Sequence, residues 1–173
     1  LWITPDSFLP TQVEQRLTTI LNDAASQDSV PVVVVYGLPH RDCGNYSTAD
    51  VTPDEYLTWI AGIARALRAD GQQTTSSSFL SSSVASVRSD SNGSVPIVIM
   101  EPDALSLSVD CPAIASQLPL LASAIRTISD TGAAVYVDAG HSGWVAVDVM
   151  ADLLNQIGVN RTRGFSLNVS NYN

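Results

Sequence analysis

Apolar and polar positions along this chain follow two periods in turn, and the switches between them predict alternating strands and helices. Val95-Pro-Ile-Val-Ile-Met100 is an apolar run with no polar face, the pattern of a strand buried on both sides. It stops at Glu101-Pro102-Asp103, where a proline without an N–H ends the strand and presents Asp103 at its C-terminal tip. Val30–Tyr36 and Ala133–Asp138 are further strand runs, and Leu1–Thr4 and Gly164–Val169 read as strands at the two ends. Between them apolar residues recur at helical spacing: Val13, Leu17, Ile20 and Leu21, then Tyr56, Ile60, Ile63, Ala64 and Leu67. Pro112–Ser129, with Ile114, Leu118, Leu121 and Ile125, is a third helical stretch, and Val147–Ile157, closed by Gly158, is the last. Asp6 or Ser7 is the expected cap of the first helix. Thr52-Pro53-Asp54-Glu55 predicts the start of the second, with Thr52 as cap, Pro53 in the first turn and Glu55 reaching back. That helix is expected to end near Asp70-Gly71, and the serine-rich residues 72–94 to form surface loop with a short helix at most.

Strict β-α alternation with short connections means an α/β fold with a parallel sheet, here as one domain over 1–173. Parallel strands end on one side, where such folds build their sites. Polar chemistry recurs there: Trp2 near the first strand, Tyr36 and Asp42 after the second, Asp103 after the third, Asp138 and His141 after the fourth, Asn171 after the fifth. One such residue means little, but a series at successive strand ends predicts a site. Asp103, backed by apolar strand and beside a second acid, is a candidate for a raised pKa and general-acid work. No Gly-rich fingerprint follows the early strands, so dinucleotide and P-loop functions lack their motif.

Each residue also has a plainer reading. Asp103 is placed to cap a helix beginning at Ala104. Asp42 follows Arg41 and is placed to pair with it. Asp138 fits hydrogen bonding within its own Asp-Ala-Gly turn. Trp2 and Trp144 are ordinary core or interface residues unless they rim a polar cleft, where their faces suit sugar rings.

Composition narrows the partners. The 173 residues are 45% hydrophobic with mean hydropathy +0.16, enough to bury a core. All eight basic residues are arginine, and the net charge of −9 with pI near 4.3 argues against nucleic acid and anionic membrane as partners. No stretch of apolar residues is long enough to span a bilayer. Two cysteines, Cys43 and Cys111, are too few for a disulfide scaffold or a cysteine-only zinc site, and two histidines make a poor metal centre, so neither metal nor cofactor is expected. Asn45, Asn92, Asn160 and Asn168 open N-glycosylation sequons; Asn92 and Asn160 are the candidates, whereas a glycan on Asn45 would obstruct the expected cleft. The acidic, serine-rich, lysine-free composition points to a secreted, extracellular protein with a neutral polar partner.

Tyr36…Arg41-Asp42-Cys43, Glu101-Pro102-Asp103, Asp138-Ala-Gly-His-Ser-Gly-Trp144 and Asn168-Val-Ser-Asn-Tyr172 together resemble, in order and spacing, the signatures of glycoside hydrolase family 6. These are cellobiohydrolases and endoglucanases that cut β-1,4-glucan with inversion. The resemblance runs from the first residue to the last and covers about the first three-fifths of the family's catalytic domain. It implies a distorted, incompletely closed parallel β/α barrel, about five strands of it here, in a domain continuing beyond residue 173 and truncated at its start. It implies that Asp103 is the general acid and Asp42 the aspartate that helps it keep its proton, with Tyr36 beneath the sugar at the cleavage point. Ser47 matches a serine that helps hold the attacking water. Trp2, His141, Trp144 and Asn171 match sugar-contacting positions, and Asp138 an aspartate that orders the site. Cys43 and Cys111 match a family disulfide tying the Asp42 loop to the segment after Asp103. The family's proposed base lies outside the chain. Gly37 and His40 depart from residues often polar or acidic in relatives. The alternative is a glycan-binding or structural extracellular module on the same fold, without catalysis.

Overall fold

The computed structural model describes residues 1–47, 51–72 and 95–170. Its order is β1 (Trp2–Ile3), α1 (Val13–Ser26), β2 (Val32–Val35), a 3-10 turn (Arg41–Gly44), α2 (Pro53–Gln72) and β3 (Ile97–Met100). Then follow α3 (Ala104–Ser108), α4 (Pro112–Ala115), α5 (Leu118–Ser129), β4 (Ala134–Asp138), α6 (Val147–Gln156), a 3-10 turn (Val159–Arg161) and β5 (Gly164–Ser166).

All five strands are parallel, in the spatial order β1-β2-β3-β4-β5, so each pairs with its neighbours in sequence. The sheet does not close: β1 pairs only with β2 and β5 only with β4 among the described residues. Register puts Val35, Met100 and Val137 in one row, with Ile3 paired to Val35. All four are fully buried, because this face packs on the helices. The other face is only partly covered, with Ile97, Ile99, Ala134 and Tyr136 half-buried. Among the described residues the expectation that β3 is buried on both sides is therefore corrected: Val98 and Met100 are fully buried, whereas Ile97 and Ile99 on the other face are only half-buried.

The core sits between sheet and helices. Trp59, Tyr56, Ile60 and Ile63 of α2, Leu17 and Leu21 of α1, and Leu121, Ile125 and Ile128 of α5 are essentially inaccessible. Each such aliphatic side chain stabilises the fold by about 1.5–3 kcal/mol. The start of α2 follows the sequence closely. Thr52 N–H donates to Glu55 Oε2 at 2.9 Å and Glu55 N–H to Thr52 Oγ1 at 3.3 Å.

Three expectations are corrected. Helix α1 begins at Val13 behind Gln12, with no side-chain cap; Ser7 is held in a turn with Thr4, and Asp6 turns to Arg41. The stretch 112–129 is two helices rather than one. Pro119 has no N–H to give to the carbonyl four residues back, so α4 ends at Ala115 and α5 restarts at Leu118. The last strand is shorter than Gly164–Val169, ending at Ser166, and Asn168 takes a left-handed φ of 58°. The loop predicted at 72–94 lies, from residue 73 on, outside the described residues, and Asn92 with it.

Candidate active site

The loop after β2 is built around Arg41, which is only 6% exposed. Its guanidinium donates to the carbonyl of Tyr36 at 2.7 Å, to Asp6 Oδ2 at 2.7 Å and to the carbonyl of Ser47, and it stacks over the Tyr36 ring. Arg41 thus closes the loop through its backbone. The pairing expected between Asp42 and Arg41 gives way to one between Asp6 and Arg41. Asp42 Oδ2 accepts instead from Ser47 N–H at 3.0 Å, while Asn45 Nδ2 donates to the Asp42 carbonyl at 2.8 Å. His40, Asp42 and Cys43 all hold left-handed backbone, with φ of 62°, 58° and 51°. Such conformations cost about 1–2 kcal/mol for a non-glycine residue and persist only where surroundings enforce them. Part of that enforcement is covalent: Cys43 is disulfide-bonded to Cys111, with Cα atoms 6.0 Å apart.

The tip of β3 is strained in the same way, with φ of 48° at Glu101 and 69° at Asp103. Asp103 stands at the N-terminal position of α3, but its side chain makes no capping hydrogen bond, so the plainer reading of this residue is not realised. Its N–H donates to Asp138 Oδ2 at 2.8 Å, and Gly140 N–H donates to the same oxygen at 3.0 Å. Asp138 therefore does bind its own turn, and also ties the end of β4 to Asp103, three residues beyond β3. Burial pushes its pKa up to about 6, against the two N–H donors and with help from the Asp103 charge.

Tyr36 connects these parts. Burial raises the pKa of its hydroxyl, and the charges of Asp42 and then Asp103 raise it further, so both aspartates act on one phenol. Ser47 shares a hydrogen bond with it, and Trp2, 44% exposed, meets its ring edge-on at 5.7 Å. After β4, His141 and Trp144 lie against each other with ring centroids 5.1 Å apart. Gly140, at φ 69°, leads into this pair; a Cβ there would come within 2.2 Å of Ser106 Oγ and 3.3 Å of Trp144. Tyr36, Asp42, Ser47 and Trp2 thus form one cluster. Asp103 joins it through Tyr36, Asp138 is linked to Asp103 through the Asp103 N–H, and His141 and Trp144 follow Asp138 across one turn. Asn171 lies outside the described residues. Asn160 is exposed in the 3-10 turn before β5. Among the described residues no three His, Cys, Asp or Glu side chains gather as metal ligands.

Glu101 is the functional candidate that sequence reasoning passed over. It is 1% exposed, and Gly37 and Leu38 donate their N–H groups to Oε2 at 2.9 and 3.0 Å while Tyr56 OH donates to Oε1 at 2.9 Å. Burial lifts its pKa to about 7 in spite of these three donors. Its signal was present, an acid closing a wholly apolar strand, but Tyr56 read only as part of a helix's apolar face.

The whole of residues 1–173 matches the family described as glycosyl hydrolases family 6. The chain is 34% identical over 149 residues to endoglucanase A of Cellulomonas fimi, covering 86% of this chain and 28% of that protein. It is 32% identical to endoglucanase A of Thermobispora bispora, covering 96% and 33%. Among solved structures, the endoglucanase Cel6 of Mycobacterium tuberculosis, in complex with methyl-cellobiosyl-4-deoxy-4-thio-β-D-cellobioside, superposes with a TM-score of 0.79 at 35% identity, over 99% of this chain and 51% of its own. Cellobiohydrolase II of Humicola insolens, in complex with glucose and cellotetraose, shares the fold with a TM-score of 0.71 at 23% identity, over 100% of this chain and 49% of its own. The chain spans about a third of the length of these curated relatives and half that of the solved ones. With its open parallel sheet, its strand-end aspartates and a family match from end to end, the chain belongs to glycosyl hydrolase family 6.

Proposed function

We propose that this chain forms part of the substrate-cleaving face of an inverting β-1,4-glucanase acting on cellulose or cello-oligosaccharides. Asp103 is the general acid that protonates the glycosidic oxygen. Asp42 is the neighbouring acid that stabilises developing positive charge. Tyr36 lies under the ring being cleaved and Ser47 assists the water, while Trp2, His141, Trp144 and Asn171 contact sugars and Asp138 orders the Asp103 backbone. The observation that carries this reading is that adjacent strands β2 and β3 and the Cys43–Cys111 bond hold the loop bearing Asp42 against the segment opened by Asp103. Inversion needs two carboxyl groups with a water between them, typically ~6.5–9.5 Å apart, and the base is supplied from outside this chain. Further strands covering β1 and β5 complete the barrel in the working enzyme. The Cys43–Cys111 bond suits an oxidising, extracellular setting, and Asn160 is exposed for glycosylation. No helix among the described residues is long and apolar enough to cross a membrane.

The test is hydrolysis of cello-oligosaccharides by the polypeptide that carries this chain, with product anomers followed by NMR. Asp103→Asn is expected to lower kcat by about 10²–10⁴, the usual worth of a general acid, and the first-formed product to be the α-anomer. Equal activity of parent and variant, or a β-anomer formed first, overturns the reading. Sugar binding without turnover points to a glycan-binding module instead.

A further inference from the structure

Glu101 is a buried acid for which the proposed chemistry has no use. Its backbone N–H donates to the Val35 carbonyl at 2.8 Å, the last rung of the β2–β3 ladder. Beyond that rung β2 has ended, and the Glu101 carboxylate takes over from the strand by accepting the N–H groups of Gly37 and Leu38. Those two residues follow Tyr36 directly and lead into the loop that delivers Asp42. In the other direction along the chain, Asp103 stands two residues after Glu101. One side chain therefore touches the segment between Tyr36 and Asp42 and belongs to the strand that bears Asp103.

Resting on the reading of Asp42 and Asp103 as the catalytic pair, we propose that Glu101 is a positioning residue: it clamps the Gly37-Leu38 backbone to β3 and so sets the gap across which the two aspartates work. Two further observations support a clamp over a simple filler. A side chain at residue 37 has no room, since a Cβ there would lie 2.5 Å from Trp59 Cζ3 and 3.0 Å from Pro5, so the backbone is pressed in close enough for its N–H to reach the carboxylate. The charged and titratable groups facing Glu101 are Tyr56 from α2 and Arg41 from the 3-10 turn, and both are held in turn, Tyr56 by full burial and Arg41 by the carbonyls of Tyr36 and Ser47. The grip works in either protonation state. Ionised, Glu101 accepts from all three donors. Protonated on Oε1, it gives that proton to the Tyr56 oxygen and keeps both N–H groups on Oε2.

That symmetry designs the experiment. Glutamine reproduces the protonated form, with its amide N–H facing Tyr56 and its oxygen facing the two N–H groups, whereas methionine fills similar space without an acceptor. In the polypeptide that carries this chain, Glu101→Met is expected to lower kcat on cello-oligosaccharides ~10–100-fold with KM within about threefold, the scale of a misplaced catalytic group. Glu101→Gln restores kcat to within about threefold. The loss is expected to vanish in an Asp42→Asn background, because the clamp acts through Asp42. Amide hydrogen exchange, which needs no turnover, is expected to quicken at Gly37 and Leu38 in Glu101→Met and not in Glu101→Gln. Should Glu101→Met fail to fold, Tyr56→Phe removes one donor at constant shape and is expected to lower kcat about 3–10-fold at little cost in Tm. Overturning results are a folded Glu101→Met protein, or Tyr56→Phe, with parental kcat; an undiminished further loss in Asp42→Asn; or unchanged exchange at residues 37 and 38. Asp103→Asn run alongside separates this from the parent reading: if that variant keeps full activity, the catalytic assignment fails whatever Glu101 does.

Discussion

Removing the Cys43–Cys111 crosslink, as Cys43→Ala with Cys111→Ala, tests how the candidate site is held. The bond joins residues 68 apart in sequence. For a loop of that length the chain-entropy relation gives a loss of about 15 cal/mol/K in the unfolded state, or about 4 kcal/mol of stability at 25 °C. Opposing it is strain. His40, Asp42 and Cys43 hold positive φ, at about 1–2 kcal/mol each, and an untethered loop is free to relax them. Relaxing them, however, gives up the hydrogen bonds from Arg41 to Tyr36 and Ser47 and from Ser47 to Asp42, each worth about 1 kcal/mol. Strain relief and lost bonds roughly cancel, so the crosslink decides the sign: the double variant is expected to be less stable by about 2–4 kcal/mol. Urea unfolding followed by circular dichroism, on the polypeptide that carries this chain, measures it. Because Asp42 sits beside one anchor and α3, which Asp103 opens, lies just before the other, kcat is expected to fall at least about tenfold well below the melting temperature. A stability loss under about 1 kcal/mol together with unchanged kcat would refute the bracing argument, and would leave Arg41 as sufficient to hold the loop.

Stability is also expected to depend on pH in a direction opposite to that of salt-bridged acids. Glu101 has a folded-state pKa of about 7 against an ordinary 4.5, so its folded form binds the proton more tightly than its unfolded form. Its contribution is complete below about pH 4.5 and is lost as pH rises through 7, about 3 kcal/mol in all at about 1.4 kcal/mol per tenfold change in proton affinity. Asp138, raised to about 6, acts with the same sign over a lower window. Unfolding free energy measured by urea titration is therefore expected to be higher at pH 5 than at pH 8, and the reverse order contradicts the burial argument. Gly37→Ala is expected to cost about 1–3 kcal/mol or more, since the new methyl would sit 2.5 Å from Trp59; an unchanged melting temperature would mean that α2 moves aside freely.

Hydrophobic period and turn chemistry were enough, without coordinates, to determine the order of the five strands, the parallel sheet and the capping box at Thr52, because each depends on residues a few positions apart. They did not determine the break of the 112–129 stretch into two helices. The ordered motifs likewise determined the family and named the cysteines that pair. Tertiary structure alone decided which polar groups meet. Arg41 chose Asp6, 35 residues away, over its neighbour Asp42, and Asp138 reached across to the backbone of Asp103. Glu101 became the support of a loop 64 residues earlier in the chain. Those choices rest on left-handed backbone at residues 40, 42, 43, 101 and 103, which local propensity disfavours and only the surrounding bonds sustain. A period in the sequence encodes which face of an element is buried. The partner of a buried charge is set by where two distant elements bring their ends together.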